Sequence, residues 1–267
     1  MNCATVTWRI QIVPQTCSIN ESVSLSCEYA TGNDRISVSM AFHQATTSAL
    51  EPEKPALASR LSAGVELSAL IILVEAISWL VPILRDSRVA YASLSVMIIA
   101  LLLLCYLRDD VSIRDLGLRV DNLPRVLSRI WLPLAVFVVL VVAVGLARGT
   151  INFGAKFFSM LIAVPLWALL QQYMLLAFAN RRLRTIMGAG THSVLATAAL
   201  FSLLHLPNPV LTVACAFGGY IWAREYEREP NLFANAITHA IASAFLANSL
   251  SHSLLKNMVV GYNYFFR

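Results

Sequence analysis

Charged residues are scarce in this sequence. Asp, Glu, Lys and Arg make up 13% of its 267 residues, whereas a typical soluble domain has about 25%. Hydrophobic residues make up 58%, and the mean hydropathy is +0.67. A soluble domain of this length needs more polar surface than this composition supplies. The scarcity of charge therefore excludes a soluble globular enzyme and predicts an integral membrane protein.

Cysteine pairs and basic patches are also missing. The five cysteines show no close pair and no metal-ligand spacing, so they predict neither a disulfide framework nor a zinc site. The net charge of +5 is spread over loops, and no basic stretch is interleaved with aromatics, which excludes a nucleic-acid partner. The start lacks the basic and apolar runs of a secretory signal. We predict no metal and no cofactor.

Residues 1–60 differ in composition from the rest of the chain. They are rich in Ser, Thr, Asn and Glu and contain no apolar segment long enough to span a bilayer. Residues 23–27 alternate weakly, as a short strand would, but nothing around them would bury that strand. The composition predicts a polar, disordered N-terminal tail over residues 1–60 and a transmembrane domain over residues 61–267.

Apolar segments of roughly spanning length fill the second part. Helices are the form that satisfies backbone hydrogen bonding in such segments. We therefore predict an all-α fold, a polytopic transmembrane helix bundle of about seven spans with a polar cavity between helices. The predicted spans are residues 64–84, 89–107, 131–147, 157–180, 192–207, 209–223 and 232–250.

Arginines concentrate in alternate loops. Lys and Arg favour cytoplasmic loops, so this asymmetry predicts a cytoplasmic N-terminus in the cell (inner) membrane, with membrane lipids as partners. The arginines of these loops are Arg108, Arg114, Arg119, Arg125, Arg129, Arg181, Arg182, Arg184, Arg224 and Arg228.

Three polar clusters interrupt the later apolar segments. They are the pair Gln171 and Gln172, the helix-end His205, and a stripe of Asn235, His239 and Ser243 at four-residue spacing. Residues at this spacing share one face of a helix. Polar groups at membrane depth face a cavity, a partner or a substrate. The stripe is compatible either with a functional site or with an interhelical hydrogen-bond network.

Glu75 is an acid in the middle of the first apolar segment. An acidic side chain in the middle of a membrane span suggests a functional site. It could serve as a base or as a partner of the two histidines. The alternative is a carboxyl group that is neutral or paired with a loop arginine.

The order of these motifs resembles the CAAX-protease and bacteriocin-processing (CPBP) family of intramembrane endopeptidases, which includes the type II CAAX prenyl endopeptidases. Phe201-Ser-Leu-Leu-His205 matches the second motif of the family in full, and His239 matches the third. The segment Asp115-Leu-Gly-Leu-Arg119 is similar to the one that precedes the family core. The resemblance covers roughly residues 64–250. It implies hydrolysis of membrane-associated peptides, including prenylated CAAX-type peptides.

The resemblance implies catalytic positions at Gln171, Gln172, His205, His239 and Ser243, and we add Phe201, Asn235 and Glu75 as binding or supporting residues. The sequence departs from the family at three of its positions. The Glu-Glu pair of the family is Gln171-Gln172, its arginine is Leu176, and its third-motif Asn is Ser243. An amide does not titrate and cannot act as a general base.

Two functions follow from this resemblance. The first is a membrane-embedded endopeptidase, and the alternative is an inactive family member that binds a membrane peptide, a lipid or a partner protein. The sequence alone does not decide whether the protein is an enzyme. A third reading, a transporter or channel component, is disfavoured because there is no internal repeat.

Overall fold

The computed structural model describes residues 16–20, 24–31, 34–41, 56–85 and 87–266, and the chain divides into two units, residues 1–53 and 54–267. The first unit contains β1 (Thr16–Asn20), β2 (Ser24–Thr31) and β3 (Asp34–Ala41), which form an antiparallel sheet in the order β1-β2-β3. The weak alternation in the sequence falls at β2. The expected disorder of the rest of the tail lies largely outside the described residues and stays a prediction.

The described part of the second unit contains only helices, which confirms the all-α prediction for the transmembrane domain. Each of the seven predicted apolar segments corresponds to one helix. The helices are α1 (Leu57–Ile83), α2 (Arg88–Asp109), α3 (Leu123–Arg148), α4 (Ala155–Met187), α5 (Thr191–Leu203), α6 (Pro209–Arg228), α7 (Leu232–Ser249) and the short α8 (His252–Leu255), followed by 3₁₀ turns at Lys256–Met258 and Gly261–Phe265.

Four of these helices, α1 to α4, are long and apolar enough to cross a membrane. Together with the shorter helices, they are roughly consistent with the predicted polytopic bundle of about seven spans. Helix α5 is short, with 13 residues. Helix α7 is rich in buried polar side chains because it packs against both α3 and α4. A helix that is covered by other helices does not need a lipid-compatible surface.

Two helices contain a π-helical stretch. In α1 it covers Ala76–Leu80, and in α4 it covers Tyr173–Asn180, immediately after Gln172. A π-helical turn rotates the side chains that follow it relative to an α-helix, and such turns are frequent at functional sites. In α4 the stretch buries most of its side chains, so that the position of the family arginine, Leu176, lies in the hydrophobic core.

A loop between α2 and α3 contacts the turn between α6 and α7. The backbone N–H of Leu232 donates to the Gly117 carbonyl at 2.8 Å, and the Tyr226 hydroxyl donates to the Leu116 carbonyl at 3.1 Å. Gly117 has a φ of +82°, and a Cβ there would lie 2.9 Å from the backbone nitrogen of Asn231. The close approach therefore requires glycine, and it fixes the start of α7.

An ion-pair cluster joins the ends of α1, α2 and α4. The Arg182 guanidinium lies 2.9 Å from Glu66 Oε2 and 2.8 Å from Asp109 Oδ2. Arg108 also pairs with Glu66 and with Asp109. Both Glu66 and Arg182 are buried, and the Ser62 hydroxyl donates to Glu66 at 2.7 Å. This pairing lets charged groups lie at the edge of an apolar bundle.

We expect Gly117→Ala to lower the apparent melting temperature of the purified protein. The substitution combines a strained positive φ, which costs about 1–3 kcal/mol, with a clash against the backbone of Asn231. Gly149→Ala is the matched control, because Gly149 also has a positive φ of +61° but open space at its Cβ. Thermal unfolding followed by tryptophan fluorescence measures both. Equal losses for the two variants would show that the close approach contributes nothing.

We expect Glu66→Gln to destabilise the protein by about 3–5 kcal/mol, because it leaves the buried Arg182 guanidinium with one carboxylate fewer. Glu75→Gln serves as control, since Glu75 forms no ion pair within the described part of the chain. Unfolding in a denaturant series would measure the difference. A small and equal effect of the two substitutions would argue against the cluster as a stabilising element.

Candidate active site

His205 lies in the turn that follows α5 and is fixed by its own backbone. Its Nδ1 is 2.6 Å from the carbonyl oxygen of Phe201, one helical turn earlier. A carbonyl only accepts hydrogen bonds, so Nδ1 carries the proton and Nε2 keeps a free lone pair. The next helix begins after Asn208, whose side chain caps α6 and donates to the Leu255 carbonyl at 2.8 Å. Packed helix ends therefore hold His205 on both sides.

His239 lies on α7 and is held by a side chain of α4. The amide nitrogen of Gln172 is 3.1 Å from His239 Nδ1. With the amide donating, Nδ1 accepts the hydrogen bond and the imidazole proton resides on Nε2. The Trp222 ring stacks on the imidazole at a centroid distance of 4.6 Å and a tilt of 32°. The Trp222 indole N–H donates to Thr238 at 3.1 Å, which fixes the ring beneath His239.

The two histidines contact the same aromatic ring. The centroid of Phe201 is 4.7 Å from the ring of His205 and 5.8 Å from that of His239, and both contacts are edge-on. Phe201 therefore lies beside both imidazoles and sets their spacing. Its own ring is buried. The sequence analysis named Phe201 as a supporting residue on the basis of the family motif, and the structure places it in direct contact with both histidines.

Both histidines line one cavity of about 410 Å³ between α3, α4, α6 and α7. Gln171 and Ser243 line it as well, and aromatic and aliphatic side chains form most of its wall. Gln171 and His205 also line a second apolar cavity of about 270 Å³, which lies between α1, α2, α4 and α5. The polar groups therefore lie between two apolar spaces. Such a cavity suits a ligand with an apolar body and a few hydrogen-bonding groups.

The neighbouring amides have different surroundings. Gln171 faces both cavities, whereas Gln172 is fully buried against His239. Successive helix residues diverge by about 100°, which accounts for the difference. The Gln172 side-chain oxygen has no hydrogen-bond partner among the described residues. A buried acceptor without a partner is uncommon and destabilising, so this oxygen is available to a donor from a ligand or from water.

Two of the predicted supporting residues lie outside the linings of both cavities. Asn235 is fully buried, and its side-chain nitrogen donates to the Asn231 carbonyl at 2.9 Å within α7. Glu75 lies on α1, and it is absent from the lining of either cavity, as is every other Asp and Glu. The described chain also contains no group of three or more His, Cys, Asp and Glu side chains placed to hold a metal.

The sequence analysis missed the buried acid at Glu66. It lies two to three turns before Glu75 on α1 and accepts hydrogen bonds from both Arg182 and Arg108. The signal was available, because Glu66 also lies in an apolar segment and two arginines follow the Gln pair at residues 181 and 182. Arg182 does not replace the family arginine at Leu176. It pairs with Glu66 and Asp109 instead, away from the histidines.

Comparison with known families gives one match. Residues 131–245 match the family model described as Type II CAAX prenyl endopeptidase Rce1-like. Over this segment the chain is similar to that family. The Rce1-like segment covers most of α3, all of α4, α5 and α6, and most of α7, and it contains Gln171, Gln172, His205, His239 and Ser243. No curated protein and no solved structure matches the chain.

The match confirms the family that the ordered motifs indicated, and it agrees with an integral membrane protein. It covers most of the residues that line the 410 Å³ cavity, and Ile130, Leu246, Met258 and Val260 lie outside it. Helices α1 and α2 and the Asp115–Arg119 loop lie outside it, and of the Glu66 cluster only Arg182 lies inside it. The departures from the family motif remain in this Rce1-like segment, since its lining contains amides and imidazoles but no carboxylate.

We expect the two histidines to carry their protons on different nitrogens. ¹⁵N spectra of imidazole-labelled protein should show His205 protonated at Nδ1 and His239 protonated at Nε2. Gln172→Glu should reverse the His239 tautomer, because a carboxylate accepts but does not donate. Gln171→Glu is the control, since Gln171 makes no hydrogen bond to His239. A wild-type His239 protonated at Nδ1 would contradict the assignment.

Proposed function

We propose that the protein is a membrane-embedded endopeptidase that hydrolyses a peptide bond of a membrane-associated peptide, with His205 as general base. The observation that carries this proposal is a pair of contacts at one cavity, from His205 Nδ1 to the Phe201 carbonyl and from His239 Nδ1 to the Gln172 amide nitrogen, which favour opposite tautomers. His205 offers an acceptor at Nε2, and His239 offers a donor at Nε2. Peptide hydrolysis requires one group of each kind, a base for water and a donor for the developing oxyanion.

The reaction proceeds by direct attack of water. His205 Nε2 takes a proton from water as the oxygen attacks the carbonyl carbon of the scissile bond. His239 Nε2–H donates to the oxyanion that forms, and the hydroxyl of Ser243 is a second donor. The protonated His205 then gives its proton to the leaving nitrogen as the carbon–nitrogen bond breaks. The products are a carboxylic acid and an amine.

An imidazole suits this task because its neutral form has one acceptor nitrogen and one donor nitrogen. In the family pattern a glutamate has this role, and here both members of the pair are amides. Gln172 instead selects the His239 tautomer through the 3.1 Å hydrogen bond. Gln171, which faces both cavities, can hold the peptide backbone with one donor and one acceptor.

The apolar wall of the site supports a substrate that is itself associated with the membrane. Trp167, Phe137 and Phe217 line the 410 Å³ cavity together with aliphatic side chains. A lipid-modified peptide, including a prenylated CAAX-type peptide, would bury its apolar part there and present its peptide bonds to the histidines. We place the N-terminus and the arginine-rich loops on the cytoplasmic side of the cell (inner) membrane, as positive charge predicts.

Reconstituted full-length protein should cleave members of a library of prenylated and unmodified tail peptides, with products identified by mass spectrometry. His205→Ala should lower the rate by about 10²–10⁴-fold, because a general base contributes that much. His192→Ala is the matched control, since His192 is exposed and lines neither histidine cavity. Cleavage that survives His205→Ala unchanged would rule out the histidine base.

A non-catalytic family member is the second candidate, and the absence of Asp and Glu from both cavity linings favours it. Such a protein would bind the peptide, a lipid or a partner protein without cleaving it. A photo-reactive tail peptide would then crosslink to cavity residues of the wild type while no product forms. Gln171→Glu combined with Gln172→Glu should restore cleavage in that case. Cleavage by the wild type that His205→Ala abolishes would exclude this candidate.

A further inference from the structure

A third cavity, of about 890 Å³, lies at the ends of α1, α2 and α4, and neither histidine lines it. Its lining is polar, in contrast to the two apolar cavities. Four arginines line it: Arg108, Arg181, Arg182 and Arg184. Three carboxylates, Glu66, Asp109 and Asp115, also line it. The mechanism proposed above uses none of these groups.

The charges of this cavity are not all neutralised by one another. Glu66 and Asp109 pair with Arg108 and Arg182, which together form a neutral group. The guanidinium groups of Arg181 and Arg184 then make no ion pair and no hydrogen bond within the described part of the chain. Unpaired arginine at a cavity wall attracts an anion and can bind it through two parallel hydrogen bonds.

Asp115 is the remaining carboxylate of the cavity, and it already accepts one hydrogen bond. The Ser112 hydroxyl donates to it at 2.7 Å. Against the two unpaired arginines, this leaves one net positive charge facing the cavity. A single phosphodiester group carries one negative charge and would neutralise it. The lining also contains the hydroxyls of Ser59 and Thr185, which can donate to headgroup oxygens.

Arg182 supplies a second observation that points to a ligand. The residue is only 6% exposed, and it lines the cavity. Its Nη2 lies 2.9 Å from Glu66 Oε2 and 2.8 Å from Asp109 Oδ2, so both contacts are ion pairs, but neither has the alignment of a hydrogen bond. A better-aligned acceptor in the cavity would therefore bind the donor hydrogens of this nitrogen more strongly. A phosphate oxygen in the cavity would be such an acceptor.

The surroundings of the cavity favour a lipid over a soluble phosphate. On α1, next to Ser59 and Ser62, the side chains of Leu57, Leu61 and Val65 are exposed. On α2, before Arg108, those of Leu104 and Leu107 are exposed. These apolar side chains belong to α1 and α2, which are long and apolar enough to cross a membrane, and would face acyl chains. A polar cavity bordered by an apolar helix surface matches a headgroup with its tails.

We propose that this cavity binds the phosphodiester headgroup of an anionic glycerophospholipid, with Arg181 and Arg184 contacting the phosphate and the acyl chains lying along α1 and α2. The cavity lies at the helix ends on the arginine-rich side of the bundle. Arg182 continues α4 beyond the π-helical stretch that starts after Gln172. A bound lipid would therefore fix the same helix that carries Gln171 and Gln172.

Native mass spectrometry of the full-length protein with phosphatidylglycerol or phosphatidylcholine tests this. We expect phosphatidylglycerol adducts on the wild type and at least a tenfold weaker apparent affinity in Arg181→Gln/Arg184→Gln, because each arginine near a headgroup contributes roughly a factor of five. Arg224→Gln/Arg228→Gln is the matched control. It removes two arginines from the same side of the bundle but outside the cavity.

Three outcomes would overturn the proposal. One is equal loss of adducts in the control variant, which would mean that charge alone attracts the lipid. Another is equal binding of phosphatidylcholine. The third is full displacement of phosphatidylglycerol by inorganic phosphate at matched concentration, which would assign the cavity to a soluble anion. Because Arg181 and Arg184 form no ion pair among the described residues, their removal should leave the melting temperature unchanged, and this measurement excludes misfolding as a cause.

Discussion

A polar helix can lie inside a membrane protein only where other helices cover it, and α7 depends on this constraint. Asn231, Asn235, His239 and Ser243 are all buried along this one helix. Helices α3 and α4 cover it, and their own outer faces expose aliphatic side chains. Inside the bundle, the Asn235 amide nitrogen donates to the Asn231 carbonyl at 2.9 Å, and His239 Nδ1 accepts from Gln172 at 3.1 Å. These hydrogen bonds offset part of the cost of burying polar side chains. The remaining helices take positions that make this burial possible.

The start of α7 shows how that arrangement is fixed. Asn231 caps the helix by accepting from the backbone N–H of Ala234 at 2.7 Å, and its amide nitrogen donates to the Arg119 carbonyl at 2.9 Å. Gly117 lets the loop approach closely enough for both contacts. Because these contacts fix the first turn of α7, they also fix the position of His239, which lies two turns later and opposite Gln172. The loop therefore influences the site without contacting it.

The sequence was sufficient to predict the positions of the helices and of the polar motifs, because both depend on local patterns. Apolar segments near 20 residues and polar residues at four-residue spacing can be read directly. It could not predict which helices cover the polar side chains of α7, since the packing of α3 and α4 against α7 depends on contacts between distant parts of the chain. It also could not place Glu75 or Glu66. Both are acidic residues in one apolar helix. They differ because Glu66 forms ion pairs with Arg108 and Arg182, which lie on other helices.

The replacement of two glutamates by Gln171 and Gln172 changes what each histidine can do. A carboxylate at Gln172 would accept from His239 Nδ1 and leave Nε2 as an acceptor. The amide donates instead, so His239 becomes a donor toward the cavity, while Phe201 keeps His205 as the acceptor. One acceptor nitrogen and one donor nitrogen then remain, without any carboxylate in the lining. In the proposed mechanism, the amide pair therefore changes which side chain receives the proton from water, and that acceptor is Nε2 of His205.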